Sequence, residues 1–332
     1  MGLPSIDRAH ALAFRQRATH LNTRLPRGRL IDAAFAGLQD SSPRSAVLAL
    51  HARVQDVSPS AWEDRQFVQV WGPRGAVYLV SQQDVAVFTL GLLPRDSAGQ
   101  SAVKAATERA KKAFQEEKRR TQTLPSRYGP DPPGLRTASA SGTIRIRWDG
   151  SRTEWWIVDP PGDNPESARL ELARRFLRSL APATPEEFAW WSGISLSDAR
   201  QTFHKLEKEL VEVNLEGQKS WILRRDQVEL KRTEPLTMTR LLPPGDPYLA
   251  TGDRKLVLPE ARFRSELWPR SDVWPGALLV HGELACTWRR QAGRVTIRAW
   301  RQMKSEIREV VENEVDEMPI ESTKRGVRWI GP

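Results

Sequence analysis

The sequence predicts an α+β protein: three tandem winged-helix units, each a helix-turn-helix with a β-hairpin, followed by a C-terminal α/β domain. Three observations carry this prediction. Amphipathic helical stretches are followed by alternating apolar runs broken at Pro, Gly or Asp-Gly, and this order recurs at about 28–80, 97–158 and 168–223. Capping sequences punctuate the helical stretches: Ser81-Gln82-Gln83-Asp84, Thr184-Pro185-Glu186-Glu187 and Ser195-Leu196-Ser197-Asp198. Beyond Leu230 the texture changes to apolar strands separated by single glycines. The expected divisions are 1–95, 96–160, 161–228 and 229–332.

In chain order, Asp7 to Leu21 reads as an amphipathic lead-in helix. Arg29 to Leu38 and Ser45 to Val54 read as the paired helices of the first unit, with Val47, Leu48, Leu50 and Val54 on the inward stripe. The hairpin Phe67 to Val80 follows, turned at Pro73 and Gly75. Ala98 to Thr121 predicts a long helix ending in Lys118, Arg119 and Arg120, and Leu124 to Gly134 a loop. Asp149-Gly150 marks the second hairpin, because both residues tolerate the positive φ of a type I′ turn. Ile144, Ile146 and Trp148 share one face of it, and Arg145 and Arg147 the other. The third unit comprises the helices 168–180, 186–191 and 196–210 and a hairpin through Ser220 to Leu223. In the last domain, strands are expected at 278–280, 284–288, 295–297 and 327–330, with a helix over 302–317.

The 332 residues carry 51 Lys+Arg against 41 Asp+Glu, a net charge of +10 that favours a polyanionic partner. A single cysteine, Cys286, excludes an internal disulfide and a Cys-based zinc site, and fits a reducing cytoplasm. The five histidines have no ligand spacing, so no metal is expected. No apolar leader or membrane-length run is present, and no phosphate loop or Gly-x-Ser-x-Gly elbow. Tryptophan is abundant, 13 against 3 tyrosines, and most are expected in the core.

Gln39, Asp40 and Ser41 fall between the two helices of the first unit, where polar side chains can project from a rigid scaffold. Gly37-Leu38-Gln39, Pro43-Arg44-Ser45-Ala46, then Trp71 and Arg74-Gly75 resemble the AlkZ/YcaQ family, tandem winged-helix DNA-binding proteins that include glycosylases for alkylated and crosslinked bases. That family's signature is Gln, one spacer, then Gln or Asp. The resemblance maps Gln39 to the first position and Ser41 to the second, where the amide or acid has been replaced. The family's Arg-Gly-Thr-x-His survives as Arg74-Gly75, with Ala76 and Tyr78 in the later places.

If the chain is a glycosylase, Gln39 would orient water at the anomeric carbon, and Asp40 is the adjacent carboxylate that could polarise it. Ser41 and Ser42 have a structural alternative as a helix cap before Pro43. Arg44, Arg74, Tyr78, Arg145, Arg147, Arg200, Gln201 and Lys205 are the candidate DNA contacts, on a basic concave surface. The expectation is a monomeric, nucleoid-associated protein of double-stranded DNA without cofactor. A non-catalytic DNA-binding protein or regulator, which lost the second catalytic position, is the alternative.

Overall fold

The computed structural model describes residues 4–116, 122–124, 134–232, 236–270, 273–291, 293–322 and 325–331. It is a mixed α+β protein built on three sheets. The basic end of the long helix, with Lys118, Arg119 and Arg120, lies outside the described residues, as does most of the 124–134 loop.

The hairpins form where the turn residues predict them. Phe67–Trp71 pairs antiparallel with Val77–Ser81 around Pro73–Gly75, where Arg74 and Gly75 both adopt positive φ. Ile144–Trp148 pairs with Thr153–Ile157 around Gly150, whose φ is +99°. The first two hairpins do not stand apart. Gln69 opposes Ile146, and this contact joins both into one six-stranded sheet, edged by Leu38–Gln39 and Gln122–Leu124. A three-stranded sheet joins Leu210–Leu215 and Gln218–Leu223 with the N-terminal Ser5–Ile6, which lies parallel to the first of them. The third sheet holds Thr239–Leu242, Gly276–Val280, Glu283–Gln291, Arg294–Ala299 and Gly326–Ile330.

Two of the three predicted capping sequences form; at the first, Ser81 Oγ accepts from the Gln83 amide rather than from Asp84 and opens only the 3-10 turn Gln82–Asp84. Asp7 accepts from the His10 amide and opens Arg8–Ala18, and Asn164 accepts from Glu166 and Ser167 to open Pro165–Leu180. Thr184 and Glu187 make a reciprocal capping box with Pro185 in the first turn. Ser195 caps Leu196–Lys205 through the Asp198 amide. Pro165–Leu180 is the central helix of the main core. Its Phe176 ring lies 5.3 Å from Phe188 and 5.4 Å from Trp191, and truncating it to alanine would cost about 3–5 kcal/mol. Trp71, Trp148, Trp155, Trp191, Trp268, Trp288 and Trp300 are buried, whereas Trp190 is 36% exposed.

The third helix of the last unit ends at Lys205 rather than Leu210, which begins a strand, and a larger departure lies in the first unit. The helix expected over Arg29 to Leu38 is a single turn, Leu30–Ala33. Gly37, at φ +70°, then swings the chain into the short strand Leu38–Gln39, which pairs with Tyr78 and Leu79. A Cβ at Gly37 would stand 2.6 Å from the Phe88 ring, so the swing requires glycine twice over. Gln39, Asp40 and Ser41 therefore leave a sheet edge and enter the helix Ser45–His51, rather than linking two helices.

Candidate functional site

The polar triplet is held by a dense set of hydrogen bonds. The Asp40 amide donates to Val77 O at 2.8 Å and so continues the edge strand by one bond. Ser45 Oγ donates to Gln39 O and to Ser42 O, both at 3.0 Å, and cinches the loop at the first residue of the next helix. Arg44 precedes that helix with φ +64° and offers no side-chain cap. Its guanidinium lies instead 3.7 Å from the Trp62 ring centroid.

Asp40 corrects the expectation of a water-polarising carboxylate. It is fully buried. Oδ1 accepts from the Ala46 amide at 3.0 Å and Oδ2 from Gln69 Nε2 at 2.9 Å. Gln69 is itself oriented by the Trp148 amide, which donates to its Oε1 at 2.6 Å. Asp40 thus caps the helix from a distance and ties it to the two hairpins where they join. Burial pushes its carboxyl up to about 6, against the pull of those donors. Arg44, not Ser41, occupies the N-cap position of that helix, and the Ser41 hydroxyl accepts from Gln39 Nε2 at 3.2 Å.

Gln39 is half-buried. Arg74 donates to its Oε1 at 3.4 Å, a long contact. The amide rests on Gly245, where a Cβ would come within 3.0 Å of Gln39 Cδ. Gly245, at φ +75°, sits in the turn between Thr239–Leu242 and the segment that follows. That turn is anchored by Arg53 and Asp246, a bidentate pair at 2.8 and 2.7 Å with both side chains buried. Beside it, Ser42, Pro43, Pro244, Trp274 and Trp288 line a cleft of about 470 Å³.

The other candidates divide. Arg74 is exposed, close to Gln39 and 4.5 Å from the Trp190 ring. The turn at Gly193 packs on its backbone, so the junction of the third helix pair reaches the same site. Arg147 is exposed, pairs with Glu63 and lies 5.0 Å from Trp62. Arg200, Gln201 and Lys205 share an exposed helix face, with Arg200 on Glu186 at 2.8 Å and Lys205 on Glu166 at 3.2 Å.

Two candidates are corrected. Tyr78 is 2% exposed, stacked 6.1 Å from Phe88, and cannot touch a ligand there. Arg145 is half-buried and donates to Gly142 O at 2.7 Å and Ile144 O at 3.1 Å, so it serves its own hairpin. Sequence reasoning missed Gln69, Trp62, Trp190 and Arg254. Only the Trp190-Trp191 pair held a local signal: adjacent tryptophans on one short helix cannot both face inward. Among the described residues, no three His, Cys, Asp or Glu side chains gather to hold a metal, and no helix is long and apolar enough to cross a membrane.

A family model described as DNA glycosylase AlkZ-like matches residues 33–127 and 135–319. An interstrand DNA cross-link repair glycosylase from Streptomyces sahachiroi is 34% identical over 104 residues. That match covers 30% of this chain and only 28% of the relative's length. The solved structure of Streptomyces sahachiroi DNA glycosylase AlkZ aligns over 98% of this chain and 100% of that one, with TM-score 0.77. At 17% identity this likeness establishes the fold.

Proposed function

The chain belongs to the AlkZ-like DNA glycosylase family, and from that membership we propose that it is a monofunctional glycosylase releasing alkylated or crosslinked bases from duplex DNA. The observation that carries the reading is Gln39: a half-buried amide flanked by Ser41 and Arg74 and seated on Gly245, whose neighbour Pro244 lines the cleft.

The chemistry asks little of the protein. In a cationic alkylated purine, the bond from the sugar C1′ to the base nitrogen breaks with both electrons going to the base. The base then leaves neutral and needs no acid. Water adds to the oxocarbenium carbon and releases its proton to solvent. Gln39 Oε1 can accept from that water and so aim its lone pair, and Ser41 Oγ supplies a second polar contact. With Asp40 buried, no carboxylate of the triplet serves as base, which confines the reading to lesions whose glycosidic bond is already weakened. A cleft of about 470 Å³ is in the size range of small-molecule sites and suits an extruded base.

The winged-helix reading of residues 1–95, 96–160 and 161–228, with 229–332 as an α/β domain, is supported by the order of helices and hairpins. The first two units would share one sheet as a single platform. A net charge of +10 supports a basic surface for double-stranded DNA. We take the protein to act as a monomer in the nucleoid-containing cytoplasm, without cofactor.

A second reading, a non-catalytic lesion binder, is favoured by Ser41 standing where the family has Gln or Asp. One experiment separates the two. Purified protein is incubated with a duplex carrying N7-alkylguanine, and abasic sites are revealed by alkaline cleavage. The expected result is base release by wild type and loss of at least about 100-fold in Gln39→Ala, with duplex affinity within a few-fold. Binding without release by wild type would refute the enzyme and leave the binder.

A further inference from the structure

Among the described residues, Arg254 is a cation without a counterpart. It starts the short helix Arg254–Val257, and its guanidinium lies 5.0 Å from the Trp274 ring, 5.1 Å from Trp268 and 5.5 Å from Trp190. Three indoles offer it π faces and accept none of its five N–H donors by ordinary hydrogen bonds. Among the described residues, the guanidinium makes neither a hydrogen bond nor an ion pair. By contrast, Arg53 pairs with Asp246, Arg147 with Glu63 and Arg200 with Glu186.

Arg74 approaches the same Trp190 ring, 4.5 Å from its centroid, and is likewise joined to no carboxylate among the described residues. Desolvation, then repulsion from Arg74, hold the Arg254 guanidinium below the ordinary arginine range, and no negative group opposes either effect. Two guanidiniums gathered on one exposed indole, unneutralised, make a place prepared for an anion. Three flanking indoles restrict the guanidinium, and its planar fork of donors suits a phosphodiester better than a spherical ion.

We propose that Arg254 and Arg74, set on Trp190, hold a backbone phosphate of the DNA strand whose sugar is presented to Gln39. The position follows from Arg74, which reaches both Trp190 and Gln39. A phosphate held there would fix the distance from the backbone to the amide, and Trp274 carries the same cluster into the wall of the cleft. This inference rests on the DNA reading above, and the test keeps the two apart.

Lesion duplexes are prepared with one neutral methylphosphonate linkage, walked along the strand around the target nucleotide. Wild type is expected to lose about 5- to 10-fold in affinity at one linkage beside the target. Arg254→Gln should bind the unmodified duplex more weakly by a similar factor, with a log–log salt slope smaller by about one, and be indifferent to that linkage. Arg74→Gln combined with Arg254→Gln should be little worse than the weaker single variant, because both serve one anion.

If wild type binds the duplex and no linkage distinguishes it from Arg254→Gln, the phosphate seat is overturned and the DNA reading survives. If wild type does not bind the duplex at low salt, both fall. Arg254→Lys keeps charge and stem and serves if Arg254→Gln does not fold. It loses the planar fork, so the same linkage should cost it less than wild type, and an equal cost would overturn the proposal.

Discussion

Replacing Asp40 by asparagine should separate a structural carboxylate from a catalytic one. The carboxyl is fully buried and its value is raised from 3.8 to about 6. A folded-state value above the unfolded one means that the native protein holds the extra proton between them. The associated stability is complete below 3.8 and is lost as pH climbs through 6. At about 1.4 kcal/mol for each pH unit, the full change is about 3 kcal/mol. The replacing asparagine does not titrate. The difference in unfolding free energy, variant minus wild type, should therefore rise by about 2–3 kcal/mol from about pH 4 to about pH 7.5.

A second effect sets the level of that curve. Gln69 Oε1 is committed to the Trp148 amide, so its Nε2 must face position 40. An asparagine that accepts from Ala46 presents its own NH₂ to that donor, a mismatch costing about 1–3 kcal/mol. Near neutral pH the two effects offset, and the variant should lie within about 2 kcal/mol of wild type. The measurement is urea unfolding followed by tryptophan fluorescence on both proteins across the pH range. Only the difference is informative, because buried His51, pushed down to about 4, loses stability in the opposite direction, as pH falls from 6.5. Base release by the variant should stay within a few-fold of wild type. A difference curve flat with pH, together with abolished release, would refute the argument and make Asp40 the base.

Asp246→Ala should destabilise the protein by about 3–5 kcal/mol, since it leaves the Arg53 guanidinium buried and unpaired, whereas Arg53→Met with Asp246→Leu should recover most of the loss in thermal melts. Arg147→Ala should weaken duplex binding and lower the salt slope by about one. Arg145→Ala should instead lower the melting temperature and leave the slope unchanged, because its donors go to Gly142 and Ile144. Cys286 is buried, its thiol pushed up to about 12, so a thiol reagent near pH 8 should label it in urea and leave the native protein unmodified.

Hairpins and helix starts were legible because their causes are local. Pro73-Arg74-Gly75, Asp149-Gly150 and the Thr184 capping box each decide the backbone within four residues. The strand at Leu38–Gln39 was not legible, because its cause is Gly37 meeting Phe88, far along the chain. Asp40 read as a surface carboxylate for the same reason: its partners, Gln69 and Ala46, lie on other elements. Tyr78 stood in a register that the resemblance made functional, but strand alternation turned it toward Phe88. The fusion of two hairpins into one sheet depends on one pairing, Gln69 with Ile146, which no pattern in either strand announces. Gln39 could be found from the resemblance. Its floor at Gly245 could not, being joined to it only in space, and nor could Arg254, which is set beside Arg74 and Trp190.

That floor has a consequence in time. Gln39 leaves the ribosome long before Gly245, by roughly ten to forty seconds at ordinary rates of synthesis. Throughout that interval the amide stands over nothing, and its geometry is undefined. A nascent or prematurely ended chain can carry the first hairpin and several of its arginines while lacking the turn that seats Gln39. The seat comes late, because Asp246, which anchors its turn to Arg53, lies beyond Gly245 in the chain. If the proposed glycosylase reading holds, an N-terminal fragment should therefore release no base although it carries Gln39.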